Sequence, residues 1–70
     1  MHITYDPGVD ALYIRFQECK VTTQKIAEGI AADYAADGKL AGIEILDAKT
    51  RFGDTSTLRK VTLEDIGLIA

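Results

Sequence analysis

The sequence predicts a small α+β domain: an antiparallel β-meander of about four strands, with short helical turns after the last main strand and near the C-terminus. Three observations carry that reading. Pro7 and Gly8 separate two alternating segments, Asp37 and Gly38 separate two more, and the alternation stops after Leu46, where Asp47 opens a helical pattern.

The first strand, ITYD, runs into PGVD and then ALYIRF. Pro7 presets φ for the second position of a β-turn, and Gly8 suits the positive φ that a type II turn requires at the third. Beyond the turn, Leu12, Ile14 and Phe16 alternate with Ala11, Tyr13 and Arg15, and Ile3 with Tyr5 supplies the matching oily face of the first strand. QECK reads as a polar loop. VTTQKI is β-branched but mixed in polarity, which fits an edge strand or a bulged lead-in to the next main strand.

Asp37-Gly38 is the signature of a two-residue type I′ hairpin loop. If Ala36 faces Lys39, then Ile30, Ala32 and Tyr34 lie opposite Ile45, Ile43 and Ala41 on an apolar face. The other face carries Ala31, Asp33 and Ala35 against Glu44, Gly42 and Leu40. After Leu46, Asp47 is placed to cap a helical turn over residues 48–52 that stops at Gly53. GDTST reads as a loop, and Thr62 with Leu63, Glu64 and Asp65 as a second helix start. Leu58, Val61, Leu63, Ile66 and Ile69 are available to cover a sheet face or to reach a neighbouring subunit.

Length sets the energetic problem. Residues 1–70 make a single domain, and a chain of 70 residues buries only about 60% of the surface its unfolded state exposes. Such domains often recruit a disulfide, a metal or a partner subunit. Cys19 is the only cysteine and His2 the only histidine, so neither a disulfide nor a tetrahedral metal site is expected, and no cofactor motif occurs. Self-association is left by elimination. The net charge of -3 and the scattered basic residues argue against nucleic acid and anionic membrane surfaces as partners. No apolar run approaches the roughly 20 residues of a membrane span, and MHITYD lacks the basic start of a signal peptide, which points to the cytoplasm.

YDPGVDALYIRF and DYAADGKLAGIEILDAKTRF together resemble the two signature blocks of a small, mostly bacterial family catalogued as domain of unknown function 2283. The resemblance covers nearly the first three quarters of the chain and does not include the tail from Gly53 onward. It implies a compact, sheet-rich fold and brings no established activity, cofactor or catalytic residues. Members of that family are sometimes encoded beside small toxin-like proteins, which adds a basic, toxin-like protein as an expected partner.

Each residue with chemistry has a plain structural alternative. Asp6 and Asp10 flank a turn but lack the further oxygen ligands of a calcium loop, so Asp6 is read as capping the turn and Asp10 as accepting from amides. Glu44 and Asp47 should point to opposite faces of their strand. Asp33 and Glu44 share a face as diagonal neighbours, with Arg15 and Tyr13 joining if the second strand lies alongside; the alternative is a solvated ladder of charges. Cys19, beside Glu18 and Lys20, is read as a bystander thiol, and His2 as structural. Tyr13 and Tyr34 belong to core or interface, because no basic groove accompanies them.

The leading functional expectation is a protein-interaction or self-association module, simplest as a dimer, that neutralises a basic toxin-like partner. Ala31, Ala35, Leu40 and Leu46 form the expected contact between copies. The alternatives are a small enzyme or an intersubunit ligand-binding protein using Arg15, Asp33 and Glu44.

Overall fold

The computed structural model of the chain describes residues 1–53 and 55–64. Five strands, β1 (His2–Asp6), β2 (Ala11–Arg15), β3 (Thr22–Ala27), β4 (Ile30–Tyr34) and β5 (Leu40–Leu46), form one antiparallel sheet in the order β1-β2-β5-β4-β3. A short helix, α1 (Ala48–Phe52), and a 3-10 turn over Thr55–Arg59 follow. The expected small antiparallel sheet with a short helix after its last strand is present; with five strands the protein is mostly β, so the count of about four and the α+β class are matched only roughly. VTTQKI supplies the additional strand: β3 is both an edge strand and bulged, with its register shifting between Lys25 and Ala27.

The topology also departs from a plain meander. Strands β3, β4 and β5 follow one another in space, but β5 then turns its free edge to β2, so the β1–β2 hairpin docks on the central strand. Hydrophobic matching accounts for that seam. Leu12 pairs with Ile45 and Ile14 with Ile43, and Ile30 and Ala32 meet the same two isoleucines from the other side. Ile3 and Tyr5 extend the apolar face by pairing with Ile14 and Leu12.

Both hairpin turns differ from their predicted types. Ala35 N–H donates to Lys39 O at 2.8 Å and Gly38 N–H to Ala35 O at 2.9 Å, which makes Ala36, Asp37 and Gly38 a three-residue loop. Only Gly38 of that loop has a positive φ, at 86°, so the turn is a type I turn with a left-handed glycine and not type I′. The extra residue shifts the register between Asp33 and Tyr34, and Tyr34 pairs with Leu40 instead of Ala41. At the first turn the left-handed residue is Asp10, with φ 55°, rather than Gly8. A four-residue loop between the paired Asp6 and Ala11 needs its reversal at the last position, and Asp tolerates that conformation better than most residues.

Helix α1 forms where expected and stops at Gly53, whose φ is 82°. Asp47 does not cap it: its own φ is 53° and its side chain makes no capping bond. Asp10 takes that role from across the fold, accepting Lys49 N–H at 3.0 and 3.2 Å on its two carboxylate oxygens while its carbonyl accepts Ala48 N–H at 3.1 Å. Of the predicted GDTST loop, Thr55, Ser56 and Thr57 open the 3-10 turn, and Asp54 lies outside the described residues. Of the predicted second helix, residues 62–64 have no regular structure and the rest lies outside the described residues. Val61 and Leu63 are exposed.

Burial is shallow. Leu12, Ala32, Ala41 and Ala48 are buried, while Ile14, Ile30, Ile43 and Ile45 are half-buried and no large side chain is fully enclosed among the described residues. The radius of gyration, 13.4 Å, exceeds the roughly 11 Å of a compact chain of this length, and the shortest dimension is 18 Å. The molecule is a slab built on one sheet.

Candidate functional site

The polar side of that sheet holds the candidate site. Strand register sets out its floor: Tyr13 pairs with Glu44 and Glu44 with Ala31 in one row, Arg15 with Gly42 and Gly42 with Asp33 in the next. Alternation along β2, β4 and β5 sends these side chains to the face opposite the isoleucines. The four residues singled out in the sequence, Tyr13, Arg15, Asp33 and Glu44, thus come together on one surface. With Thr4 and Thr23 they line an open depression of about 580 Å³.

Asp33 is its centre. Although it is a carboxylate, only 6% of its surface is exposed. Thr23 donates its hydroxyl to one oxygen at 2.5 Å and Tyr13 to the other at 2.7 Å. These two hydrogen bonds, Thr23 first and Tyr13 next, with a smaller contribution from the charge of Arg15, hold the Asp33 carboxyl below the usual aspartate range, against the opposing effect of burial. The reciprocal effect raises the Tyr13 phenol, chiefly through its bond to Asp33 and then through burial. Asp33 therefore has a hydroxyl donor on each oxygen and is not a rung in a solvated charge ladder.

Arg15 does not pair with Asp33. Its guanidinium lies over the Tyr13 ring, 5.1 Å from the centroid, and bonds Glu18 at 2.8 Å. Glu44 differs from both: it is half-buried and, among the described residues, its side chain makes no hydrogen bond or ion pair. What the surface offers a ligand is one unpaired carboxylate beside an ordered hydroxyl and carboxylate network.

Two contributors were missed. Thr23 escaped notice because the β3 bulge hides its register with Asp33. Gly42 matters because a Cβ there would lie 2.7 Å from the Tyr13 phenolic oxygen; a glycine inside a strand commonly marks such a close approach. Of the remaining candidates, Asp6 borders the same depression, while Asp10, Cys19, His2 and Tyr34 do not line it. Asp6 accepts Gly8 N–H at 2.8 Å, as expected of a turn residue. Asp10 also accepts the Tyr5 hydroxyl at 2.6 Å, which is the main cause of a raised Tyr5 phenol. Cys19 is an exposed free thiol, His2 sits on edge strand β1, and Tyr34 is half-buried on the apolar side.

Among the described residues no group of three or more His, Cys, Asp or Glu is arranged to hold a metal, and no helix is long and apolar enough to cross a membrane. No curated protein and no solved structure matches the chain. Residues 2–49, the span that holds all five strands and the Tyr13–Asp33 network, match the family described as protein of unknown function (DUF2283), and the chain belongs to that family.

Proposed function

We propose that the chain is a self-associating protein-interaction module, most simply a two-fold dimer, acting in the cytoplasm. The observation that carries this reading is the incomplete core: none of the isoleucines at positions 14, 30, 43 and 45 is buried. Fully burying a side chain of that size is worth about 1.5–3 kcal/mol, so covering the sheet with protein returns stability that a slab of this size otherwise lacks. The polar network occupies the face that carries Ala31 and Leu46, which favours contacts elsewhere on the sheet. A basic, toxin-like protein is the narrower form of the proposal, supported by the net charge of -3 and the unpaired Glu44.

A second reading, a small enzyme or ligand binder using Arg15, Asp33 and Glu44, is supported by their sharing one depression. Its scope is narrow. Asp33 has both oxygens engaged and its proton affinity lowered, which suits an anchor better than a general base. Sedimentation velocity over a wide concentration range tests the leading reading: a dimer mass supports it, and a monomer that persists at tens of micromolar overturns it.

A further inference from the structure

The two edges of the sheet are not equivalent. Phe16 N–H donates to Ala41 O at 2.7 Å, so Phe16 and Ala41 form a hydrogen-bonded pair. Antiparallel ladders alternate between bonded and non-bonded pairs, so the even residues of β2 point their backbone groups at β5 and the odd ones at β1. Ala11, Tyr13 and Arg15 are therefore bonded to Asp6, Thr4 and His2. It follows that Ile3 and Tyr5 point their N–H and C=O groups away from the sheet, along an edge that has no strand beside it among the described residues.

On the opposite edge, β3 is guarded by the bulge after Lys25 and by Lys25 itself, two devices that discourage strand addition. Strand β1 has no bulge, no lysine and no proline within its five residues. Its exposed apolar residue, Ile3, is 41% accessible.

We propose that two copies of the chain join β1 to β1, antiparallel, about a two-fold axis through Thr4. The proposal rests on the self-association reading above and names its contact. Centring on Thr4 pairs Ile3 with the partner's Tyr5 and Tyr5 with the partner's Ile3, which satisfies the outward N–H and C=O groups of both residues. The same register sets each Asp6 opposite the partner's His2, a carboxylate facing an imidazole at both ends of the contact. Thr4 meets the partner's Thr4 on the polar side, a favourable cross-strand pair. On the other side Ile3 and Tyr5 carry the apolar face without a break from one sheet into the next. Pro7, which has no N–H, ends the pairing. A two-fold contact of β1 with β1 closes, whereas β1 on β3 would leave free edges that propagate.

The test is the dissociation constant of the dimer, measured by sedimentation, for three variants and the parent. Ile3→Pro removes one outward N–H per copy and touches no bond to β2, so the fold persists and association weakens by more than about tenfold. His2→Asp sets two carboxylates against each other and also weakens it; adding Asp6→Asn restores affinity, since Asn still accepts Gly8 N–H. Hydrogen exchange of the parent provides a measurement that needs no variant: the Ile3 and Tyr5 amides are protected in the dimer and exchange freely on dilution. A parent that never associates overturns both this proposal and the self-association reading. A parent dimer unmoved by Ile3→Pro, with Ile3 and Tyr5 amides insensitive to dilution, overturns the β1 contact alone.

Discussion

The phenolic oxygen of Tyr13 reaches Asp33 by crossing over Gly42, in the space a side chain at position 42 would fill. A Cβ on Gly42 would stand 2.7 Å from that oxygen and 3.0 Å from the Ile14 carbonyl. Gly42→Ala is expected to push the phenol aside and destabilise the fold by about 1–2 kcal/mol, the cost of a hydrogen bond lost near a buried carboxylate. In a Tyr13→Phe background the same change should cost less. Urea denaturation of the two single variants and the double variant measures the coupling; additive effects would show that Gly42 is not there for Tyr13.

Tyr13→Phe alone leaves Asp33 with Thr23 as its one side-chain donor, so the Asp33 carboxyl should titrate closer to the ordinary aspartate value of 3.8. Carboxyl NMR titration reads this directly.

The pH dependence of stability follows from the same network. Because the folded state lowers the Asp33 pKa below 3.8, its contribution is fully present above that value and is lost as pH falls through the folded pKa. Tyr13 and Tyr5 are shifted the other way, above 10.0, so their contribution is present below pH 10 and is lost as pH rises through their folded pKa values. Thermal melts should therefore show an acid limb that Asp33→Asn flattens and an alkaline limb that Tyr13→Phe reduces. An acid limb unchanged in Asp33→Asn would contradict the assignment.

Asp10 combines a left-handed backbone with a cap on α1. Asp10→Gly should relieve the backbone and lose the cap, while Asp10→Ala loses the cap and keeps the strain. The expected order of stability is wild type, then Gly, then Ala, with the Ala variant about 1–2 kcal/mol below wild type. Calorimetric melts test the order, and an Ala variant as stable as the Gly variant would remove backbone strain from the account.

Gly38 has open space around its Cβ position and a φ of 86°. Gly38→Val should destabilise through backbone conformation alone, by about 1–3 kcal/mol, and Gly38→Asn by distinctly less. Equal melting temperatures for the two would point to a cause other than φ.

Much of this arrangement was legible in the sequence, for identifiable reasons. The central pairing of Ile30 with Ile45 and Ala32 with Ile43 followed from alternation and the position of Asp37-Gly38, because a slip of one residue would have turned the isoleucines outward. The same register placed Asp33 and Glu44 on one face. The turn types were not legible, since Asp-Gly serves two-residue and three-residue loops alike and local residue preference does not count the residues in a loop. The cap on α1 was hidden for another reason: Asp10 and Lys49 lie 39 positions apart, beyond any local motif. Asp33 looked like a surface charge because burial depends on how Tyr13 and Thr23 lean over it, and that is fixed only once the four strands β2, β5, β4 and β3 are assembled.

The central place of β5 governs the order in which the chain can become a domain. As the polypeptide is synthesised, β1 and β2 emerge with each other as partners, while the strand that joins them to the rest is completed only at Leu46, which pairs with Ala11. Until then the nascent chain consists of two hairpin-like pieces, each of a size that is marginal in water alone. A premature stop inside β5 would not yield a slightly shorter version of this fold. It would yield two hairpins joined only by residues 16–21, with their oily sides open, the form most exposed to proteolysis and to pairing with the wrong chain.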